Sequence, residues 1–165
     1  MSTEEVNIKE NVERFVGILQ DSFVDKIVLS LDVQPTFNKV AVPFQFDYSY
    51  FAIIVTDKGN FRVIAAATSE GTETFWIEQV EEILEGDKVI EISSSIRGIR
   101  LETAKGFQYP FKMSIEFDNK EIFLYCGEIY DNADETLKYN FNDEMILVFH
   151  ETQEAMKFEK HINYG

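Results

Sequence analysis

The sequence predicts an α+β fold: a mainly antiparallel, curved β-sheet with an N-terminal helix and one internal helix packed against it. Three observations carry this. Short runs of alternating apolar and polar residues outnumber runs of helical period. Turn residues recur between them, as in Asp57-Lys58-Gly59-Asn60 and Asp118-Asn119-Lys120, which is the spacing of hairpins. Two stretches, 2–23 and 73–85, place their apolar residues three and four apart instead. One domain spanning 1–165 accommodates all of this.

In order, Ile8, Val12, Phe15, Val16, Leu19 and Phe23 form one stripe of an expected helix over about 2–23, with Ser2 and Glu5 at capping-box spacing. A strand over 26–34 follows, ended by Pro35, which has no ladder donor. Residues 35–47 alternate only in part, and Pro43 argues for an edge or an extended loop. Tyr50–Thr56 and Phe61–Thr68 read as a hairpin apolar on both faces. Trp76, Ile77, Val80, Ile83 and Leu84 fit the internal helix, with Gly86 placed to end it and Trp76 in the core. Lys88–Ser94 and Ile96–Leu101 read as two strands, the second bent at Gly98. Phe111–Phe117 and Ile122–Cys126 make a second hairpin, and Met145–Phe149 a buried strand. Between them, 128–142 reads as an acidic loop, and 151–161 as a short terminal helix.

Thirty acidic residues against fifteen basic ones give a formal net charge of −15. Such a surface repels phosphate backbones and anionic membranes, and it speeds encounter with a basic protein. Cys126 is the single cysteine, so neither an internal disulfide nor a cysteine-based zinc site is expected. The start MSTEEVNIKE lacks the basic and apolar regions of a secretory signal, and a cytoplasmic protein is expected.

No motif announces a reaction. His150 and His161 stand in no metal-binding pattern, and Ser93, Ser94 and Ser95 lie in no nucleophile elbow. The glycines cradle no phosphate, and Asp131, Asp134 and Glu135 lack the ligand spacing of a calcium loop. No catalytic residue, metal or cofactor is expected. The favoured function is binding of a basic protein. Glu128, Asp131, Asp134, Glu135, Asp143 and Glu144 would steer and pair, while Tyr130 and Tyr139 supply contact area. The alternative is a small-ligand protein or enzyme with an aromatic-lined pocket, in which Arg97 or Arg100 holds an anion; pairing of both arginines with nearby carboxylates competes with that role.

The IRLE strand, the SIEFDNKEIFLY hairpin and the closing YNFNDEMILVF, set in a small acidic α+β chain, resemble bacterial immunity proteins. The resemblance covers roughly 96–149 and rests on general appearance. It implies a non-enzymatic cytoplasmic antitoxin that occludes a toxin's active site, with contact residues that do not transfer between such families.

Overall fold

The computed structural model describes residues 3–30, 42–83, 88–131, 137–140 and 145–161. It is an α+β fold built on a nine-stranded antiparallel sheet, with a separate two-stranded sheet and two helices. The strands are β1 (Phe23–Leu29), β2 (Asp47–Ser49), β3 (Phe51–Thr56), β4 (Gly59–Ala67), β5 (Glu73–Val80), β6 (Lys88–Thr103), β7 (Pro110–Phe117), β8 (Glu121–Cys126), β9 (Glu128–Asp131), β10 (Leu137–Asn140) and β11 (Ile146–Phe149). The helices are α1 (Thr3–Leu19) and α2 (Thr152–His161). The large sheet runs β2-β11-β8-β7-β6-β1-β3-β4-β5, and among the described residues β9 and β10 form a sheet of their own.

The apolar stripe of α1 buries Ile8, Val12, Phe15 and Leu19 as the periodicity requires. The helix stops short of the expected Phe23. Asp21 turns to a positive φ of 65°, and the Ser22 hydroxyl donates to Leu19 O, so the chain leaves the helix there. Lys58 Nζ donates to Ile18 O, covering a terminal carbonyl and placing a cation at the negative helix end. Phe23 consequently opens β1 and is 44% exposed.

The expected internal helix is a strand. Residues 73–80 form β5, in register with β4 from Asn60↔Val80 to Ala67↔Glu73. Thr72, Thr74, Phe75, Trp76 and Ile77 are β-branched or aromatic, and Phe75 and Ile77 point to the core with period two. The same residues satisfy both periods. The open edge of β4 decides between them by offering a ladder of hydrogen bonds. Trp76 is half-buried, on the face opposite Phe75 and Ile77.

The two strands expected over 88–101 are one continuous strand, β6. Its first half pairs with β1 and its second with β7, and its register with β7 shifts between Ile96 and Gly98, where the bend was expected. This long strand joins the halves of the sheet and lets it curl. The curl brings β5 across from β7, where Thr74 Oγ1 donates to Pro110 O at 2.7 Å, without a ladder closing the sheet. The enclosed core takes Ile27, Ile54, Phe61, Phe75, Ile77, Met113, Ile115 and Leu124 from the sheet and Phe15 and Leu19 from α1. A second core lies on the other face under α2, with Phe111, Phe123, Tyr125, Leu147, Phe149 and Phe158.

Both described helices are short or charged: among the described residues no helix is long and apolar enough to cross a membrane.

Candidate functional site

Within the acidic stretch after β8, residues 128–131 and 137–140 are paired strands instead of loop. Leu137, Lys138, Tyr139 and Asn140 pair with Asp131, Tyr130, Ile129 and Glu128 to form the β9–β10 hairpin. Its root is specified by sequence. Gly127 adopts φ 136°, a conformation side chains rarely take, and a Cβ there would collide with Asn140 O and the Tyr139 ring. The Gly127 amide donates to Met145 O at 2.9 Å, tying the root to the start of β11. Ile129 and Tyr139 face the second core and are fully buried or nearly so. The Tyr139 hydroxyl donates to Cys126 O, and its ring lies 5.5 Å from Phe158, edge to face.

This placement corrects the role expected of Tyr139: it anchors the hairpin instead of supplying contact surface. Glu128 is half-buried in β9, and Tyr130 and Asp131 continue that strand. Asp134, Glu135, Asp143 and Glu144 lie outside the described residues. Part of the signal for the hairpin is present in sequence: LKYN alternates, and Gly127 precedes EIYD. The density of acidic residues masked it.

Arg97 and Arg100 take the competing role. Both project from β6, 67% and 68% exposed, and pair with Asp118 and Glu121 of the next hairpin. The Asp118 hydrogen bond and charge raise the Arg97 guanidinium further. Neither arginine lines either of the two cavities below. Cys126 is fully buried, and burial, with Glu73 nearby, pushes its thiol well up, as suits a structural residue.

Two concavities escaped sequence reasoning because their parts are far apart in the chain. One is a polar cleft of about 300 Å³ lined by Gln45, Phe46, Asp47, Lys88, His150, Glu151 and Glu154. Asp47 opens β2 and accepts from Lys88 Nζ and pairs with His150 Nε2 across 103 positions of sequence. Burial works to raise Asp47, but the His150 and Lys88 hydrogen bonds prevail and hold it below the ordinary carboxylate value. With Nε2 committed to Asp47, His150 keeps Nδ1 as its remaining ring nitrogen. Beside it, Glu154 Oε1 accepts from the Gln45 amide at 2.9 Å, fastening the chain before β2 to α2. The cleft therefore pins three segments together, with every formal charge of Asp47 and Lys88 internally matched. The other concavity is a largely apolar groove of about 290 Å³ between α1 and the β6–β7 connection.

Among the described residues, no group of His, Cys, Asp and Glu has the arrangement of a metal site. No family model, curated protein or solved structure matches this chain.

Proposed function

We propose that this chain is a protein-binding module that neutralises a basic partner, acting as bacterial immunity proteins do, by covering a toxin's working surface in the cytoplasm. The observation that supports this is the rooted acidic hairpin. Glu128, Asp131, Asp134, Glu135, Asp143 and Glu144 fall within one short stretch against Lys138 alone. The root of that stretch is fixed in the aromatic core through Ile129 and Tyr139. Glu128 and Asp131, carried on an anchored strand, lose less conformational freedom on binding than the same charges on a free loop. Their field adds to the excess of the whole chain and steers a basic surface toward them.

Many of the cations are already matched. Arg62 pairs with Glu78, Lys88 with Asp47, Arg97 with Asp118, Arg100 with Glu121, and Lys112 with Glu102 and Glu159. These pairs leave the acidic excess to act outward.

The test uses the immobilised chain and a variant carrying Asp131→Asn, Asp134→Asn and Glu135→Gln. The wild type is expected to capture a basic protein from its own cells at low salt and release it at high salt. The variant is expected to associate about tenfold more slowly or worse. The captured protein, expressed alone, should arrest growth, and co-expression of the chain should restore it. Capture that is indifferent to the triple substitution, or no basic protein at either salt, overturns the proposal.

A further inference from the structure

The groove lies between α1 and the β6–β7 connection, and the helix is fastened mainly on its other side, toward β4 and β5. The Asn11 side chain behaves like a strand neighbour: its Nδ2 donates to Ile77 O at 2.8 Å, and its Oδ1 accepts from the Ile77 amide at 2.9 Å. This covers the free edge of β5. Glu4 accepts from the Ser69 amide and hydroxyl, and Phe15 meets Phe61 edge to face at 5.7 Å. These contacts hold α1 toward β4 and β5. Toward the β6–β7 connection a gap opens beside the Glu4–Tyr109 hydrogen bond, and Ile8 and Val12 on the helix face Leu101, Tyr109 and Pro110 across it.

The opening is at the small end of ligand pockets, so a single apolar side chain suits it better than a cofactor. Its rim is acidic. The Tyr109 hydroxyl donates to Glu4 Oε2 at 3.0 Å, and Glu70 Oε1 accepts from the Gln108 amide at 2.9 Å. Burial, the Glu4 hydrogen bond and the charges of Glu4, Glu5 and Glu70 together raise the Tyr109 phenol, a sign of how negative this end is. Glu13 lines the other end, and Lys9 sits one turn from both Glu5 and Glu13, where the two carboxylates outweigh it. An anionic amphiphile would meet this rim unfavourably. An apolar group carried next to a cation would satisfy both floor and rim.

We propose that the groove between α1 and the β6–β7 connection receives an apolar side chain of the basic partner, with a neighbouring cationic residue held by the rim glutamates. This rests on the reading of the chain as a binder of a basic protein, and it adds a second contact surface apart from the β9–β10 hairpin.

The probe is a blocked five-residue peptide alternating lysine and leucine, titrated while the methyl resonances of Ile8, Val12 and Leu101 are followed by NMR. Those methyls are expected to shift. A peptide alternating glutamate and leucine, and one alternating lysine and serine, should leave them in place. Combined Glu5→Gln and Glu13→Gln should weaken the lysine–leucine peptide at least fivefold, and Leu101→Trp should abolish its binding by filling the groove. Equal shifts from the glutamate–leucine peptide, shifts confined to other surfaces, or indifference to the glutamine variant overturn the proposal. If the captured partner binds the Glu5→Gln, Glu13→Gln variant at full strength, the groove is excluded while the hairpin reading stands. If no basic partner is captured at all, the hairpin reading fails, and the peptide titration still decides the groove.

Discussion

Strands β8 and β11 serve two cores with alternate side chains, and the two cores are built differently. Ile122, Leu124, Cys126, Ile146 and Val148 face the enclosed side; Phe123, Tyr125, Leu147 and Phe149 face the side under α2. The enclosed core is mainly aliphatic, sealed by curvature and by α1. The outer core is a lattice of rings: Phe158 lies within ring-contact distance of Phe44, Tyr125, Tyr139 and Phe149. It also contains a nearly buried cation. Lys112 Nζ meets Glu159 at 2.7 Å and Glu102 at 3.0 Å above the rings of Phe123 and Tyr125, and the Tyr125 hydroxyl shares Glu159. Burial opposes the Lys112 charge, but the two glutamates more than restore it and raise its value. The difference teaches a division of labour. The inner core sets the shape of the sheet; the outer core holds the peripheral pieces, which are α2, the chain before β2, and the root of the acidic hairpin.

The largest expected effect comes from emptying the outer core. Phe158→Ala removes a fully buried ring and should cost about 3–5 kcal/mol in chemical denaturation. It should also speed amide exchange at Tyr139 more than at Ile54 of the inner core. Equal exchange at the two would show that the cores are one cooperative unit. Next, Gly127→Ala forces a side chain into a φ of 136° against Asn140 and should cost about 3 kcal/mol. If the hairpin is rooted as described, this variant also loses partner capture while the far-ultraviolet spectrum of the large sheet persists. On the inner side, Asn11→Leu keeps the helix stripe but leaves the Ile77 amide and carbonyl without the Asn11 side chain. A loss of about 2 kcal/mol is expected, with faster exchange at the Ile77 amide.

The enclosed core was far more legible in sequence than the outer one. Alternation of Met113, Ile115 and Phe117 with Lys112, Ser114 and Glu116 marks which side chains of that strand point inward, while Ile122–Cys126, apolar at every position, marks a strand covered on both faces. Stretch 73–80 misled because Trp76, Ile77 and Val80 fit a helix as well as a strand, and only the vacant edge of β4 settles the matter. The outer core hides from periodicity because it is assembled from rings scattered over Phe44, Phe111, Tyr139 and Phe158. Charge locates the acidic hairpin but obscures its architecture, since Tyr139, expected at the contact surface, turns into the core. Nothing local in the chain announces the Asp47–His150 pair or the groove beside α1, because both form only when distant segments meet.

A smaller effect tests the seam where the chain before β2 meets α2. Asp47 is held below its ordinary value of 3.8 by His150 and Lys88, so its ionised form stabilises the fold. A depressed carboxylate contributes fully above its unfolded value, and the contribution is lost as pH falls through the folded one. Asp47→Asn should therefore cost about 1 kcal/mol at pH near 5. The gap between variant and wild type should close as pH falls below 3.8. A gap that stays open in acid would mean that shape, not charge, is what the cleft requires of Asp47.

The smallest effect is expected at the arginines, where it separates the two functional readings most cleanly. Arg97 and Arg100 look distinctive in so acidic a chain, yet each is mostly exposed and paired across to the β7–β8 hairpin. Exposed pairs of this kind gain little, because water screens the charges and two long side chains must be ordered to meet. Combined Arg97→Ala and Arg100→Ala should leave the denaturation midpoint and the far-ultraviolet spectrum unchanged. Capture of a basic partner should hold or strengthen slightly, since two repelling cations are gone. Loss of capture with the fold intact would put the recognition surface on β6 and return these arginines to a ligand-holding role. Unchanged or improved capture, alongside the loss expected for Gly127→Ala, would make the hairpin a recognition surface and leave these arginines no part in it.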